Sequence, residues 1–332
     1  MKQLVSILIP AFNAEHWIGE CIQSALSQTW NRKEIILVDD GSTDATLEIA
    51  KSYASSTVEV KSQENLGASA ARNYALSVAQ GDYIQYLDAD DLLAHDKIEK
   101  QLEEADDGNR SKRLLSGSWG RFYRDPRKAR FQADSLWGDL TPVEWMYRKV
   151  EFGTWMAIES WLVSRCLSEE AGPWNERLRR ANDGEYFNRV LRSCDYVEFV
   201  GGSRCMCRRL NLGISSNLKL NDKKLDGLAF ATLSSVETLL FLENSERTRK
   251  ACLKHLNRWS IYFYPERPDL IGQMQAVAEK CGEKLRTPRL KAKYHILERF
   301  VGFRLAKKAQ LTLPTLWSVS RNLIKQSFGR EC

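Results

Sequence analysis

The chain has 332 residues, 43% of them hydrophobic and 28% charged, a balance that excludes a disordered chain, a collagen-like repeat and a coiled coil. It is long enough to bury a core without disulfide or metal staples. Its net charge of +6 hides an asymmetry: residues 1–100 hold 8 Lys/Arg against 15 Asp/Glu, whereas residues 283–332 hold 12 against 3. No apolar run approaches the roughly 18 residues of a membrane-spanning helix, so none is expected. MKQLVSILIPAFN reads as a buried first strand and not as an export signal, which makes a cytoplasmic protein the expectation. The eight cysteines are scattered through apolar and helical contexts, so no disulfide framework is expected. Cys205 and Cys207 form C-x-C, but without a second Cys/His pair nearby they fall short of a four-ligand zinc site.

Two periods alternate along the first hundred residues. VSILIPAF (5–12) is a continuous apolar run, as a strand buried on both faces requires. Ile18, Cys21, Ile22, Ala25 and Leu26 recur at helical spacing. EIILVDDGS (34–42) predicts a second buried strand, with Ser42 or Thr43 as N-cap of a helix over 44–53. TVEVKS (57–62) predicts a third strand, and an Ala-rich helix follows over 66–79. GDYIQYLDADD (81–91) predicts a fourth strand ending in carboxylates. Strand and helix in this rhythm imply an α/β fold, a mostly parallel sheet with right-handed crossovers. Ligands of such sheets bind at the carboxyl ends of the strands, where the polar residues fall.

The pattern loosens beyond residue 93. RLLSGSWGRFY (113–123) predicts a strand, and TPVEWMYRK (141–149) a short helix with Pro142 at its first position. Residues 183–193 predict an amphipathic helix, 196–200 and 204–210 two strands, and the chain beyond 218 reads as helical.

Three clusters carry chemistry. Asp88-Ala89-Asp90 closes a strand with two carboxylates one residue apart, which suits Mg²⁺ or Mn²⁺; the plain alternative is a solvated acidic turn. Asp39-Asp40-Gly41-Ser42 either accepts hydrogen bonds from a nucleobase and ribose or is an ordinary Asp-Gly turn. In NLGASAARN (65–73), Arg72 either binds phosphate oxygens near the positive end of a helix or pairs with a local carboxylate.

In order and spacing, IPAFN, VDDGS, NLGASAARN and YLDADD resemble the nucleotide-binding half of family 2 inverting glycosyltransferases, which have the GT-A fold. The likeness is closest over 4–92 and looser over 93–216. It implies a GT-A domain over 1–217, with nucleotide-sugar binding in 1–92 and the acceptor part in 93–217, followed by a basic helical region over 218–332. It implies that Pro10, Ala11 and Asn13 line the nucleotide pocket, that Asp39 and Asp40 contact base and ribose, and that Arg72 lies near base and phosphates. Asp88 and Asp90 then hold ribose and a Mg²⁺ or Mn²⁺ ion on the diphosphate of a UDP-sugar donor. The segment GPWNERLRRANDGEYFNR (172–189) places Asp183 at the catalytic base, with Asn182 where the family has Glu. CRRLNLGISS (207–216) departs further, since Leu210 stands near an expected His; Arg208, Arg209 and Ser215 are the weaker donor- or acceptor-site candidates there.

The activity implied is metal-dependent, inverting transfer of a sugar to a hydroxyl of a saccharide or lipid-linked saccharide, in polysaccharide or glycan synthesis. A catalytically silent nucleotide-sugar-binding or membrane-associated module is the alternative, suggested by Asn182. Hydride transfer lacks its G-x-G-x-x-G, and a nucleotidyltransferase lacks its Gly/Arg-rich loop after Pro10. Trp119, Trp137, Trp145 and Trp155 are acceptor-platform candidates, of which one or two are expected to meet ligand and the others to be core. The tail over 283–332 interleaves Arg/Lys with Phe, Leu, Trp and Ile. It suits either an anionic membrane face or packing on the protein, and no nucleic-acid-binding module is present.

Overall fold

The computed structural model describes residues 3–104, 112–178, 182–209 and 222–327. β1 (Val5–Ala11) is buried at every position, as its apolar run requires. It is followed by α1 (Ile18–Leu26), β2 (Lys33–Asp39), α2 (Thr46–Ser52), β3 (Val58–Ser62), α3 (Ala68–Val78) and β4 (Tyr83–Tyr86). α1 buries Ile18, Cys21, Ile22 and Ala25, one stripe of a 3.6-residue period. Neither Ser42 nor Thr43 caps α2. Asp44 does so from inside the turn, its Oδ1 accepting from the Thr46 amide at 3.0 Å, which frees Ser42 and Thr43 to hold the preceding loop.

The second half adds β5 (Leu92–Leu93), α4 (Lys97–Glu104), β6 (Arg113–Phe122), β7 (Arg130–Phe131), α5 (Pro142–Phe152), β8 (Val163–Ser164), α6 (Arg165–Ala171), α7 (Asn182–Ser193) and β9 (Tyr196–Arg208). One sheet has the order β3-β2-β1-β4-β8, parallel except for β8 at its edge. The other has the order β5-β9-β6-β7, with β6 and β9 parallel. The two strands expected over 196–210 are one strand. Its register shifts between Gly117 and Ser118, so that Gly201–Ser203 bulge out while pairing continues on both sides. Gly117 faces that bulge, and a Cβ there would meet the Ser203 carbonyl oxygen at 2.7 Å.

α8 (Asp222–Leu242), α9 (Glu246–Ser260), α10 (Pro268–Lys280) and α11 (Ala292–Ser327) complete the chain, α11 being kinked at Gly302 where φ is +75°. One helix is, against expectation, long and apolar enough to cross a bilayer: Lys224–Leu242 has a mean hydropathy of 1.4. Scattered Thr and Ser keep it from reading as an uninterrupted apolar run. Part of it is packed inside the protein, where Val236 and Leu239 are fully buried and Asn188 donates to the Ser234 and Ser235 hydroxyls.

The chain divides into two compact units, Met1–Arg209 with Gly227–Cys252, and Leu210–Asp226 with Leu253–Cys332. The boundary expected at 217–218 lies outside the described residues. The second unit has its own small core of Leu290, Tyr294 and Ala306, against which Ile261, Leu297 and Phe303 pack.

Candidate active site

The carboxyl ends of β1, β2 and β4 converge on one rim. Ala11 pairs with Asp39 at the last rung of the β1–β2 ladder, while Pro10 sits one rung below opposite Val38. The Ala11 carbonyl then accepts from the Asp40 amide at 2.7 Å. Asn13 turns the chain out of β1 with a φ of +48°, a conformation Asn tolerates better than most residues. Its Oδ1 accepts from the Thr43 amide at 2.9 Å, and its own amide donates to Ser42 Oγ at 3.0 Å. These bonds tie the loop after β1 to the loop after β2.

Asp39 and Asp40 are adjacent but placed oppositely. Asp39 Oδ2 accepts from the Ser42 amide at 3.1 Å, whereas its Oδ1 is buried with no partner. A buried carboxylate oxygen without a donor is a costly vacancy that a ligand N–H or O–H fills. Asp40, expected to share the ligand with it, is instead turned into the protein. It accepts from Gln63 Nε2 at 2.7 Å, the Leu66 amide at 2.9 Å and the Gly67 amide at 2.8 Å. It therefore braces the start of α3. Gly41 has to be glycine here: φ is +72° and a Cβ would lie 2.9 Å from the Asn65 nitrogen.

Arg72 of α3 is 4% exposed. Its Nη2 donates to Asp88 Oδ1 at 2.6 Å, and its guanidinium lies 4.6 Å over the Trp174 ring. Nε and Nη1 are buried without acceptors. Arg72 thus pairs with a local carboxylate and still has two N–H groups to offer. Trp174 is held for this task by stacking on Tyr186 at 4.1 Å. Asn73 also clasps it, accepting from the Trp174 amide at 2.8 Å and donating to its carbonyl at 3.0 Å.

Asp90 has no side-chain hydrogen bond among the described residues. Burial, reinforced by the charge of Asp88, raises its pKa to about 6. Two acids crowded this way, one of them half engaged by Arg72, are a hard-oxygen donor set that fits a divalent cation. Asp91, next in sequence, is built into the structure: its Oδ1 accepts from the Arg208 amide. Sequence reasoning missed Glu159, which is 1% exposed and packs against this cluster. The Asp88 amide reaches its Oε1 at 3.4 Å and the Cys207 thiol its Oε2 at 3.6 Å. Burial and the charge of Asp88 hold Glu159 at about 8, so it is protonated at neutral pH. Asp91, Glu159 and Cys207 bring ligand atoms within 4.8 Å of one another, with the Cys207 thiol already donating to Glu159. The signal for Glu159 was a lone acid in the apolar run MAIESWLV.

Arg208 is a positioning residue. Its guanidinium is sandwiched between Trp17 at 4.4 Å and Phe122 at 4.5 Å, pairs with Glu20, and donates to the Asp90 carbonyl at 3.0 Å. Arg209 is exposed, while Leu210 and Ser215 lie outside the described residues.

Asp183 stands half-buried in the first turn of α7, as the sequence places it. Asn182 Nδ2 donates to Ser69 Oγ at 3.0 Å, which sets this turn against the α3 turn that carries Arg72. Asn182 therefore anchors the helix start. Lys149, a second residue missed from sequence, lies half-buried nearby and donates to Asn188 Oδ1 at 2.6 Å. Burial lowers its pKa to about 8, with the Asp183 charge opposing the fall. Of the four candidate tryptophans, Trp145 is core, Trp137 is half-buried against Phe199, and Trp155 is exposed, with its face against the buried Trp119.

Known proteins resemble this part of the chain. Residues 6–141 match the model of glycosyl transferase family 2. Over those residues the chain is similar to that family. An uncharacterised glycosyltransferase of Haemophilus influenzae is 47% identical over 102 residues, 30% of this chain and 41% of that protein. Chondroitin synthase of Escherichia coli is 44% identical over 103 residues, 30% of this chain and 15% of that enzyme. The chain thus spans less than half the length of these relatives. Residues 1–349 of S. aureus TarS, solved in complex with UDP-GlcNAc, superpose on this chain with a TM-score of 0.66 at 18% identity, covering 85% of this chain and 83% of that one. At that identity the likeness concerns the fold, which is of the GT-A type.

Proposed function

We propose that the protein transfers a sugar from a UDP-sugar to a saccharide hydroxyl in glycan or polysaccharide synthesis, with inversion at the anomeric carbon and with Mg²⁺ or Mn²⁺ as cofactor. The observation that carries this is the set of unpartnered buried polar atoms on one rim, Asp39 Oδ1 as acceptor and Arg72 Nε and Nη1 as donors. A uracil or ribose offers the first its N–H or O–H, and a diphosphate offers the others its oxygens. The UDP-GlcNAc bound by TarS supports the same donor class.

Asp88 and Asp90 would hold the cation, which when bound supplies charge neutralisation to the departing diphosphate. Arg72 adds a fixed positive charge where negative charge develops, and Trp174 keeps its guanidinium oriented. The acceptor hydroxyl loses its proton to a carboxylate of Asp183 as it attacks, so one displacement inverts the centre and no enzyme nucleophile is needed. The Asn182–Ser69 bond holds the turn that carries Asp183, and Lys149 bonds Asn188 farther along the same helix. A thermal-shift screen with Mn²⁺ tests the reading: UDP raises Tm, whereas a chain unresponsive to every nucleoside diphosphate is not this enzyme.

For the basic tail we propose a peripheral contact with an anionic membrane surface, which suits a lipid-linked acceptor. Ile296, Phe300, Val301 and Leu305 of α11 are exposed, Phe300 by 82%, and Lys291, Lys293, Arg299, Arg304 and Lys308 flank them.

A further inference from the structure

Besides Arg72, a second cation with N–H groups left over borders the carboxylate cluster. Trp119 and Arg121 alternate along β6 and share one face. Trp155 reaches the same face from the loop that leads to Glu159, its ring 4.5 Å from Trp119. The Arg121 guanidinium lies 4.7 Å over Trp119 and 5.3 Å over Trp155. It is half-buried, yet among the described residues it makes no hydrogen bond and no ion pair. Its neighbours deepen the imbalance. Arg121 pairs directly across the ladder with Arg130 of β7, and the charge of Arg209 adds to burial in lowering its pKa. Like charges opposite each other destabilise a ladder, so this hairpin retains a cost that an anion would offset. On its other side Arg121 is in register with Cys207, whose thiol touches Glu159. The platform therefore borders the D-x-D cluster but is distinct from Arg72.

We propose that Arg121, with Arg130 and Arg209, receives an anionic group of the acceptor saccharide, a carboxylate or a phosphate, while the exposed face of Trp155 stacks on a sugar ring. This rests on the transferase reading and names its acceptor class. A planar guanidinium already fixed by two indoles binds either anion through paired N–H groups with little loss of freedom. An aromatic face beside it supplies the apolar contact that a pyranose needs.

The test uses three simple probes, methyl glucuronide, methyl glucoside 6-phosphate and neutral methyl glucoside, with binding to the full chain read by saturation-transfer NMR. The expected result is binding of one or both anionic probes about tenfold tighter than the neutral sugar, the scale of one charge-assisted contact. Which of the two binds tells carboxylate from phosphate. Arg121→Gln brings the anionic probes down to the neutral level, and Trp155→Ala removes saturation of the ring protons. UDP affinity in Mn²⁺ stays unchanged in both variants, since Arg72 and the D-x-D residues are intact. Equal binding of all three sugars, no binding of either anion, or an unaffected Arg121→Gln overturns the proposal. So does a parallel loss of UDP affinity, which would make Arg121 a donor-diphosphate residue. Failure of the transferase reading shows separately, as absence of UDP binding in the unsubstituted protein.

Discussion

Asp39 and Asp40 are neighbours with the same chemistry, and the structure assigns them opposite consequences on substitution. Asp40→Asn places an NH₂ where a carboxylate oxygen accepts from the Gly67 amide, or where the other accepts from Gln63 and the Leu66 amide. At least one buried backbone N–H then loses its acceptor, at about 1–3 kcal/mol, and the remaining bonds lose their charge assistance. The total is about 2–4 kcal/mol, which at about 2–4 °C per kcal/mol lowers Tm by about 5–15 °C. Asp39→Asn keeps an oxygen for the Ser42 amide and alters only the oxygen that has no partner, so its Tm moves by no more than about 2 °C. Nucleotide binding reverses the order. Asp39→Asn weakens UDP by about tenfold or more, the worth of one charge-assisted bond. Scanning calorimetry and titration calorimetry with UDP and Mn²⁺ on both variants decide it. If Asp39→Asn destabilised the fold as much as Asp40→Asn, or left the UDP affinity intact, the division of labour drawn from their hydrogen bonds would be wrong.

Three further outcomes are expected. Lys97 is fully buried on α4, donates to Gln85 Oε1 and the Trp161 carbonyl, and is lowered to about 7 chiefly by burial. Its ammonium is penalised only in the folded state, so stability relative to Lys97→Met rises with pH between about 7 and 10.5, by about 1.4 kcal/mol per unit; a flat difference in urea titrations across that window refutes the assignment. Trp174→Ala removes a buried indole and the stack under Arg72, costing about 3–5 kcal/mol in chemical denaturation and weakening UDP as well, whereas Trp174→Phe keeps most of both. Replacing Ile296, Phe300 and Leu305 together with Ser is expected to abolish sedimentation with phosphatidylglycerol vesicles without moving Tm by more than about 2 °C, and unchanged sedimentation removes the membrane proposal.

The parallel half of the fold was legible because each strand is buried on both faces and each crossover helix presents one apolar stripe, so period alone separates them. The candidate residues at the strand ends followed from that, since topology sends the ends of β1, β2 and β4 to one rim. What composition could not disclose was direction. Nothing in Asp39-Asp40 tells which carboxylate faces the ligand, because the answer depends on Gln63 and the Gly67 amide across a turn. Arg72 and Asp88 each looked complete alone, and their pairing emerges only when α3 docks beside β4. Although Trp155 beside it was picked out as an aromatic, Glu159 was missed because the short loop that carries it has no period. Its role is set by β6 and β9, whose parallel pairing joins distant segments. Arg121 left a trace, since it alternates with Trp119 on a predicted strand, but its second indole comes from elsewhere.

The account turns on Asp183 as the group that takes the acceptor proton. The most direct measurement is turnover of UDP-sugar, followed as UDP release with a saccharide acceptor in Mn²⁺, for the unsubstituted protein and Asp183→Asn. Loss of a general base costs about 10²–10⁴ in kcat, so the variant is expected to fall by at least about a hundredfold while the KM for donor changes less than about twofold. Full turnover in Asp183→Asn would contradict the mechanism, whatever the rim of the sheet binds.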